Sequence, residues 1–520
     1  MALRVVAVAP PELPASGLGR HTLTSADPAS LFNACRVAGQ RAANGTGAWG
    51  ESNWAGSRAS RRESVLLMHS LVEDMARFDA LLERFEPNLL LLGAMSVCLP
   101  GAVACAVRAK QRLGDQVHVV LGGRHASETI WRAGGTVRHH PGSPVRLIAD
   151  GTLPPVFDLV VAGPGEHVIA GLGEVIATAT QPATSADLAA GIADEPGDWI
   201  ASWADGDLPR AVTSQRPTFS RDQLPSPAEI FGVGASFDVF GGRLTGHVFS
   251  DTGNGCVFDC DFCSERRSVT GGLVDLGNGA DRLVRQLRAV SDVVAADAPG
   301  RGASAFIEDS TILGGSPREI TRLVDLLDRA DLDIRFGGQF TIDQILSRTD
   351  LIKGLTEVGM DYVFIGVETL DPGGIGGMSK DRRPDGAAWM SRTEQAIDQL
   401  TQLGVQTGAA VLFGLGEPHR DRLALLRQLS DWRDRYGGPW PVSLNWATQH
   451  PLRGADGGTG YRYSEWSVPA GEWAEAFDDF GEATTRYPLS GCAPPVLAEV
   501  QEIRATFHAL YERPSDGGAR

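Results

Sequence analysis

Short apolar runs and amphipathic stretches alternate along the chain in two series. In the first, VVAVAP near the N-terminus, NLLLLGAMS from Asn88, VHVVLGG from Val117 and DLVVAG from Asp158 are strand-length and apolar on both faces. Helical patterns from Glu63 to Phe85 and from about Pro100 to Leu113 separate them. Continuous apolar strands between amphipathic helices predict a parallel sheet covered on both sides, so residues 1–182 read as a doubly wound α/β domain. From 183 to 240 the periodicity fades while Pro, Asp, Ser and Gly accumulate, which predicts a linker or strap. Strand-like runs then resume in AFIEDST, IRFGGQF, YVFIGVET, GAAVLFGLG and VSLNWATQH, each next to a helical stretch. Five or six such units in series predict a full or partial β/α barrel of the TIM type over 241–453, with its chemistry at the C-terminal strand ends. The tail, 454–520, holds Trp466, Trp473 and an amphipathic pattern from Val496 to Tyr511, and reads as a small helical cap.

Composition narrows the function. The 520 residues carry 47 basic and 64 acidic side chains, a net charge of -17 without a basic stripe, which argues against nucleic acid and anionic membrane as partners. The longest apolar run, Leu89 to Met95, is strand-sized, and the proline-broken N-terminus is too short for a signal-peptide core, so a cytoplasmic enzyme is expected. Seven cysteines, an odd number, point to reduced thiols used for metal binding or catalysis rather than to a disulfide framework.

Three of those cysteines lie within eight residues, in DTGNGCVFDCDFCSERR. Cys256, Cys260 and Cys263 form a C-x3-C-x2-C loop. A structural zinc site needs four protein ligands, and no fourth Cys or His has suitable local spacing, His247 being the nearest. Three thiolates suit a cubane cluster, in which each binds one iron and the fourth iron is left open for chemistry. Gly253 and Gly255 let the loop bend, while Phe258 and Phe262 are suited to shielding the cluster from water. Cys98 and Cys105, one helical face apart, read as core residues.

This loop, after a strand and before a helix, resembles the signature of the radical S-adenosylmethionine (radical SAM) superfamily. The resemblance implies a four-iron, four-sulfur (4Fe-4S) cluster on the three cysteines. It further implies that the open iron chelates S-adenosylmethionine, whose sulfonium is cleaved by electron transfer to give a 5'-deoxyadenosyl radical, the electron coming from a donor such as flavodoxin or ferredoxin. Phe262 in the loop, Glu308 and Asp309 on the second strand end, Gln339 and Asp343 on the third and Glu368 in the GVES-like fourth are then expected near S-adenosylmethionine. GLGEPHRD, with Gly414 and Gly416, resembles the family's GLPGET-like turn. In SLNWATQHP, Asn445, Gln449 and His450 are placed by the same resemblance toward the pocket.

The N-terminal unit is similar to the Rossmann-like cobalamin-binding domain of one subgroup of that superfamily. Ser96, then Gly122, Gly123 and His125, then Gly163, Gly165 and Glu166 stand where that pattern has a hydroxyl strand end, a Gly-Gly-x-His and a Gly-x-Gly-Glu turn. The Asp-x-His-x-x-Gly element that supplies an axial histidine in some cobalamin proteins is absent, Met95 and Val97 are bulkier than that pattern, and Thr129 to Phe157 is an insertion. The subgroup's chemistry implies cobalamin-dependent methylation of an unactivated carbon in a small-molecule or peptide substrate, in the setting of specialised-metabolite or antibiotic biosynthesis. A cobalamin-independent dehydratase, epimerase or rearrangement enzyme is the alternative, with Cys492 in LSGCAPP as a hydrogen donor. A non-enzymatic electron carrier would need every iron ligated, which three cysteines do not provide.

Overall fold

The computed structural model describes residues 2–11, 28–69, 71–216, 220–253, 255–260, 262–263, 265–370, 372, 378–380, 386–413, 417–446 and 496–511. In chain order its strands are β1 (Val5–Ala9), β2 (Val65–Leu67), β3 (Leu89–Gly93), β4 (His118–Gly122), β5 (Ile130–Ala133), β6 (Thr136–His139), β7 (Leu159–Ala162), β8 (Asp198–Asp205) and β9 (Leu208–Gln215), then β10 (Leu244–Val248), β11 (Ala303–Ile307), β12 (Ile334–Gln339), β13 (Met360–Glu368), β14 (Gln406–Phe413) and β15 (Trp440–Trp446). They form a seven-stranded sheet of order β2-β1-β3-β4-β7-β8-β9, a six-stranded sheet running β10 to β15 in sequence, and the β5-β6 hairpin.

Both faces of the first sheet are buried, as its apolar strands require. Val6, Val8, Leu90 and Leu92 enter one core with helices Leu71–Phe85 and Leu99–Leu113. Val5, Ala7, Leu89 and Leu91 enter another with helices Arg36–Ala43 and Glu166–Thr178. Strand β1 pairs in parallel with β2 on one side and β3 on the other, so the chain order reverses there. In doubly wound sheets, that reversal opens a crevice at the carboxyl ends of the strands.

Two expectations change. The helical pattern from Glu63 begins with strand β2, because VLL is a short β-branched and apolar run that completes the sheet edge, and the helix starts at Leu71. The expected strap contains β8 and β9, which continue the first sheet in antiparallel fashion beyond residue 182. β8 is buried only over the short run Trp199–Ser202, flanked by Asp, Gly and Pro, and β9 is polar and largely exposed, so the hairpin offers no continuous apolar run. The inserted segment holds β5, β6 and helix Pro144–Ala149.

The second sheet is all parallel and has one apolar core running from Val248 through Ile307, Phe336, Val363 and Val411 to Trp432. Its linear order makes it a partial barrel, not a closed one. The last helix, Leu497–Tyr511, caps helix His419–Tyr436: Arg433 Nη1 donates to the Leu510 carbonyl at 2.6 Å and Tyr511 Oη to the Leu426 carbonyl at 3.0 Å. Among the described residues no helix is long and apolar enough to cross a membrane.

Candidate functional site

The carboxyl ends of both sheets open into one cavity of about 2460 Å³. Drug-sized ligand sites occupy roughly 300–1,000 Å³, so the space accommodates more than one such molecule. One wall is the N-terminal crevice, from Gly93 to Met95, Gly122 to Arg124 and Gly163 to Glu166; the other carries the three cysteines and the ends of the barrel strands.

The cysteine loop leaves β10 at Val248 and is anchored before it reaches its first thiol. Asp251 has a left-handed backbone (φ 54), rare for a residue with a side chain. Its carboxylate receives both ends of the Arg36 guanidinium, at 2.8 and 2.7 Å, and Gln286 Nε2 at 3.1 Å. Arg36 and Asp251 are 0% and 2% exposed, so this bidentate pair joins the N-terminal domain to the root of the loop out of water. Gly253 follows with φ 111, a conformation that demands glycine, and a Cβ on Gly255 would lie 2.0 Å from Thr270 Oγ1. The loop closes on itself through Cys256 N to the Glu265 carbonyl (2.8 Å), Arg267 N to the Phe258 carbonyl (2.9 Å) and Cys263 N to the Cys260 carbonyl (3.1 Å).

Burial raises the pKa of Cys256 and pushes that of Cys263 up to about 12, and the neighbouring loop cysteines raise both further. Such thiols stay protonated unless a cation stabilises the thiolate, and binding iron supplies that charge. Among the described residues no three His, Cys, Asp or Glu side chains are grouped to hold a single metal ion. The donor set, three thiols facing a common cavity beside Phe258 and Phe262, fits a cluster with one iron left open.

The acidic residues expected at the strand ends separate by role. Glu308 lines the cavity and its Oε1 lies 2.5 Å from His247 Nδ1. Asp309 also lines it, but its buried carboxyl, raised in pKa by desolvation, accepts from Ser250 N at 3.0 Å and Leu313 N at 3.1 Å and ties the two loops together. Gln339 reaches the cavity, whereas Asp343 is paired with Arg392 and lies outside the lining. Glu368 sits on a bulge of β13 with φ 62 and is paired with Lys380 at the cavity wall.

In the N-terminal crevice Gly122, Gly123, Gly163, Gly165 and Glu166 line the cavity. A Cβ on Gly123 (φ 96) would lie 2.6 Å from Ala94 N, and one on Gly163 (φ 91) 2.5 Å from the Asp198 carbonyl, so both turns need glycine. Nearest to an added Cβ on Gly122 and Gly165 stand atoms at 3.8 and 3.9 Å, which leaves the floor open for a flat ligand to approach backbone. Ser96 and His125 turn inward instead. Ser96 Oγ is 2.9 Å from His125 Nδ1 and donates to Glu128 at 3.3 Å, all three side chains being buried behind the crevice. Met95 projects into the cavity at 52% exposure.

Several site residues carry no motif. Arg124 reaches across to Glu265 in the cysteine loop, and Ser310 Oγ donates to the same carboxylate at 2.9 Å. Ser379 stands over the loop, its Oγ accepting from Asp259 N at 2.5 Å and lying 3.8 Å from Cys260 Sγ. Lys380 had a faint signal, being one of three lysines among 47 basic residues. Cys492, Gln449, His450, Gly414 and Gly416 lie outside the described residues, as does the side chain of Asn445.

The fold and site together define a two-domain α/β protein in which a three-cysteine loop opens a partial β/α barrel against a glycine-turned crevice. Residues 251–429 match the family model described as the radical SAM superfamily. That stretch holds the cysteine loop and the barrel strands β11 to β14. Among solved structures it is similar to the radical S-adenosylmethionine methyltransferase TsrM from Kitasatospora setae, in a form with cobalamin and an iron-sulfur cluster bound, at 15% identity over 87% of this chain and 77% of that one, with a TM-score of 0.47. The same enzyme with tryptophan substrate and a SAM analogue matches at 14% identity, 87% and 75% coverage and a TM-score of 0.48. The hydrogenase maturase HydG from Carboxydothermus hydrogenoformans matches at 15% identity over 51% of this chain and 56% of that one, with a TM-score of 0.27. No curated protein sequence matches the chain.

Proposed function

We propose that the protein is a cobalamin-dependent radical SAM methyltransferase acting on an unactivated carbon of a small-molecule or peptide substrate. The observation that carries this reading is the single cavity: the cysteine loop and the glycine crevice face one another across it, as transfer from one cofactor site to the other requires. When bound, a 4Fe-4S cluster, S-adenosylmethionine and cobalamin supply the radical and the methyl group, with an electron from a flavodoxin or ferredoxin.

This chain's residues would position and enclose those groups. Cys256, Cys260 and Cys263 would bind three irons. Glu308, held by His247, and Glu368, held by Lys380, offer carboxylates to an ammonium group at the strand ends. Phe258 and Phe262 keep water from the loop, and Gly122 and Gly165 leave the crevice floor flat. Arg36 with Asp251, and Arg124 with Glu265, fix the loop against the N-terminal domain so that the two walls keep their spacing.

The test is anaerobic purification from cells supplied with cobalamin, followed by an ultraviolet-visible spectrum and iron and cobalt analysis of one sample. About four irons and one cobalt per chain are expected. Iron without cobalt moves the reading to a cobalamin-independent radical reaction, and absence of iron overturns it.

A further inference from the structure

Glu166 is the first residue of the 13-residue helix Glu166–Thr178, directly after the Gly163-Pro164-Gly165 turn at the end of β7. Its side chain lines the cavity yet is only 6% exposed, and its Oε2 is buried without a hydrogen-bond partner. Asn33, on helix Ala29–Ala34, lines the same cavity, and its Oδ1 is likewise buried with no donor. The two helices pack against one another, and Cys35 lies close enough to Glu166 that its thiol, pushed up to about 12 chiefly by burial, is raised further by that carboxylate. Two buried acceptors on packed helices therefore line one corner of the cavity, beside Cys35.

A buried acceptor left without a donor costs about 1–3 kcal/mol, more when charged. The helix N-terminus favours negative charge at Glu166 but cannot donate to Oε2 from its own backbone in place of a partner. The Asn33 amide presents oxygen or nitrogen according to its rotation, so it adapts to a ligand. An ionised Glu166 accepts only. The corner thus selects a group rich in N–H donors and disfavours a carboxylate. Uncharged primary carboxamides, which rim a cobalamin ring, meet both demands.

We infer that Glu166 and Asn33 form a carboxamide-reading subsite, which accepts hydrogen bonds from the amide periphery of the corrin and rejects corrinoids in which a nearby amide is hydrolysed to a carboxylate. The inference rests on the cobalamin reading given above. It assigns Glu166 a specificity role that ring stacking against the glycine turns does not provide.

The experiment titrates the anaerobically purified full chain with hydroxocobalamin, and separately with the b-, d- and e-monocarboxylate derivatives of cobalamin, following absorbance and equilibrium dialysis. Wild-type protein is expected to bind cobalamin and to bind at least one monocarboxylate about 10- to 100-fold more weakly, the range of one charge-assisted hydrogen bond. Glu166→Gln should shrink that discrimination to within about 3-fold, and Glu166→Val should weaken cobalamin itself by at least about 10-fold. Circular dichroism and iron content identify variants that retain the fold. Cobalamin binding and discrimination unchanged in both variants overturns this inference alone. Failure of the wild-type chain to bind cobalamin overturns the underlying reading, and this one with it.

Discussion

Substituting Arg36 with Met tests how the N-terminal domain controls the cysteine loop. Met matches much of the arginine stem and removes the guanidinium, so Asp251 loses two hydrogen bonds of 2.8 and 2.7 Å and keeps the one from Gln286. Because both partners are shielded from water, the variant buries an uncompensated carboxylate, and breaking such a pair costs about 3–5 kcal/mol. The Arg58–Asp297 pair is the internal control. It also links the N-terminal domain to the barrel, with Arg58 Nη2 2.6 Å from Asp297 Oδ1, but both side chains are a third or more exposed, so Arg58→Ala should cost under about 1 kcal/mol. Urea unfolding of R36M, D251N and the double variant R36M/D251N beside R58A separates the coupling from the single losses; coupling of about 1–3 kcal/mol is expected. The left-handed backbone at Asp251 also loses its anchor, so R36M should retain less iron after anaerobic reconstitution than R58A. Equal stability and equal iron in R36M and R58A would refute the claim that this buried pair holds the loop.

Three further outcomes follow from the site. Replacing Cys256, Cys260 or Cys263 with Ala should each abolish the iron-sulfur absorbance, while Cys105→Ala, a core thiol 3.5 Å from the Met68 sulfur, should keep it. Burial holds the Glu128 carboxyl up at about 8 against 4.5 in the unfolded chain; between those values the unfolded state has released its proton and the folded state has not, so stability falls as pH rises from about 4.5 to 8, and levels off above. The slope is at most about 1.4 kcal/mol per pH unit, and Glu128→Gln should flatten that part of a urea-midpoint-against-pH curve. Lys380→Met removes the cation that competes for Glu368 and should tighten S-adenosylmethionine binding about 10-fold by calorimetry, whereas Lys353→Met, at an exposed helix position, should leave it unchanged.

Much of this arrangement was legible because one physical cause dominated each readable feature. Strands such as LLLLG are apolar at every position only if both faces are covered, which predicts the parallel sheet directly. Gly123 and Gly163 mark turns because their backbones admit no other residue. The hairpin β8-β9 escaped because the polar, largely exposed β9 and a linker share composition, and the buried part of β8 is short. Ser96 and His125 illustrate a different limit: a hydroxyl and an imidazole after strand ends suit either a ligand or each other. Which they meet depends on Glu128, three residues along the helix from His125, which is buried beside them and accepts from Ser96. Glu308 and Glu368 line the cavity wall, but their partners His247 and Lys380 come from strand register and chain folding, which no local motif encodes.

The contrast between the two walls of the cavity follows from those pairings. On the barrel wall Glu308 and Glu368 are matched to His247 and Lys380, so a ligand that takes a carboxylate there must displace or share a partner. Its binding energy is reduced accordingly, and exchange is favoured. On the opposite wall the Glu166 and Asn33 oxygens have no such partner, so a donor-bearing ligand gains their full hydrogen bonds without breaking any. A substrate-like molecule that must be replaced each turnover belongs against the first wall, and a cofactor that stays belongs against the second. That division matches S-adenosylmethionine beside the cysteine loop and cobalamin in the crevice. The dissociation rates of the two from one preparation, the first expected to be the faster, would test it directly.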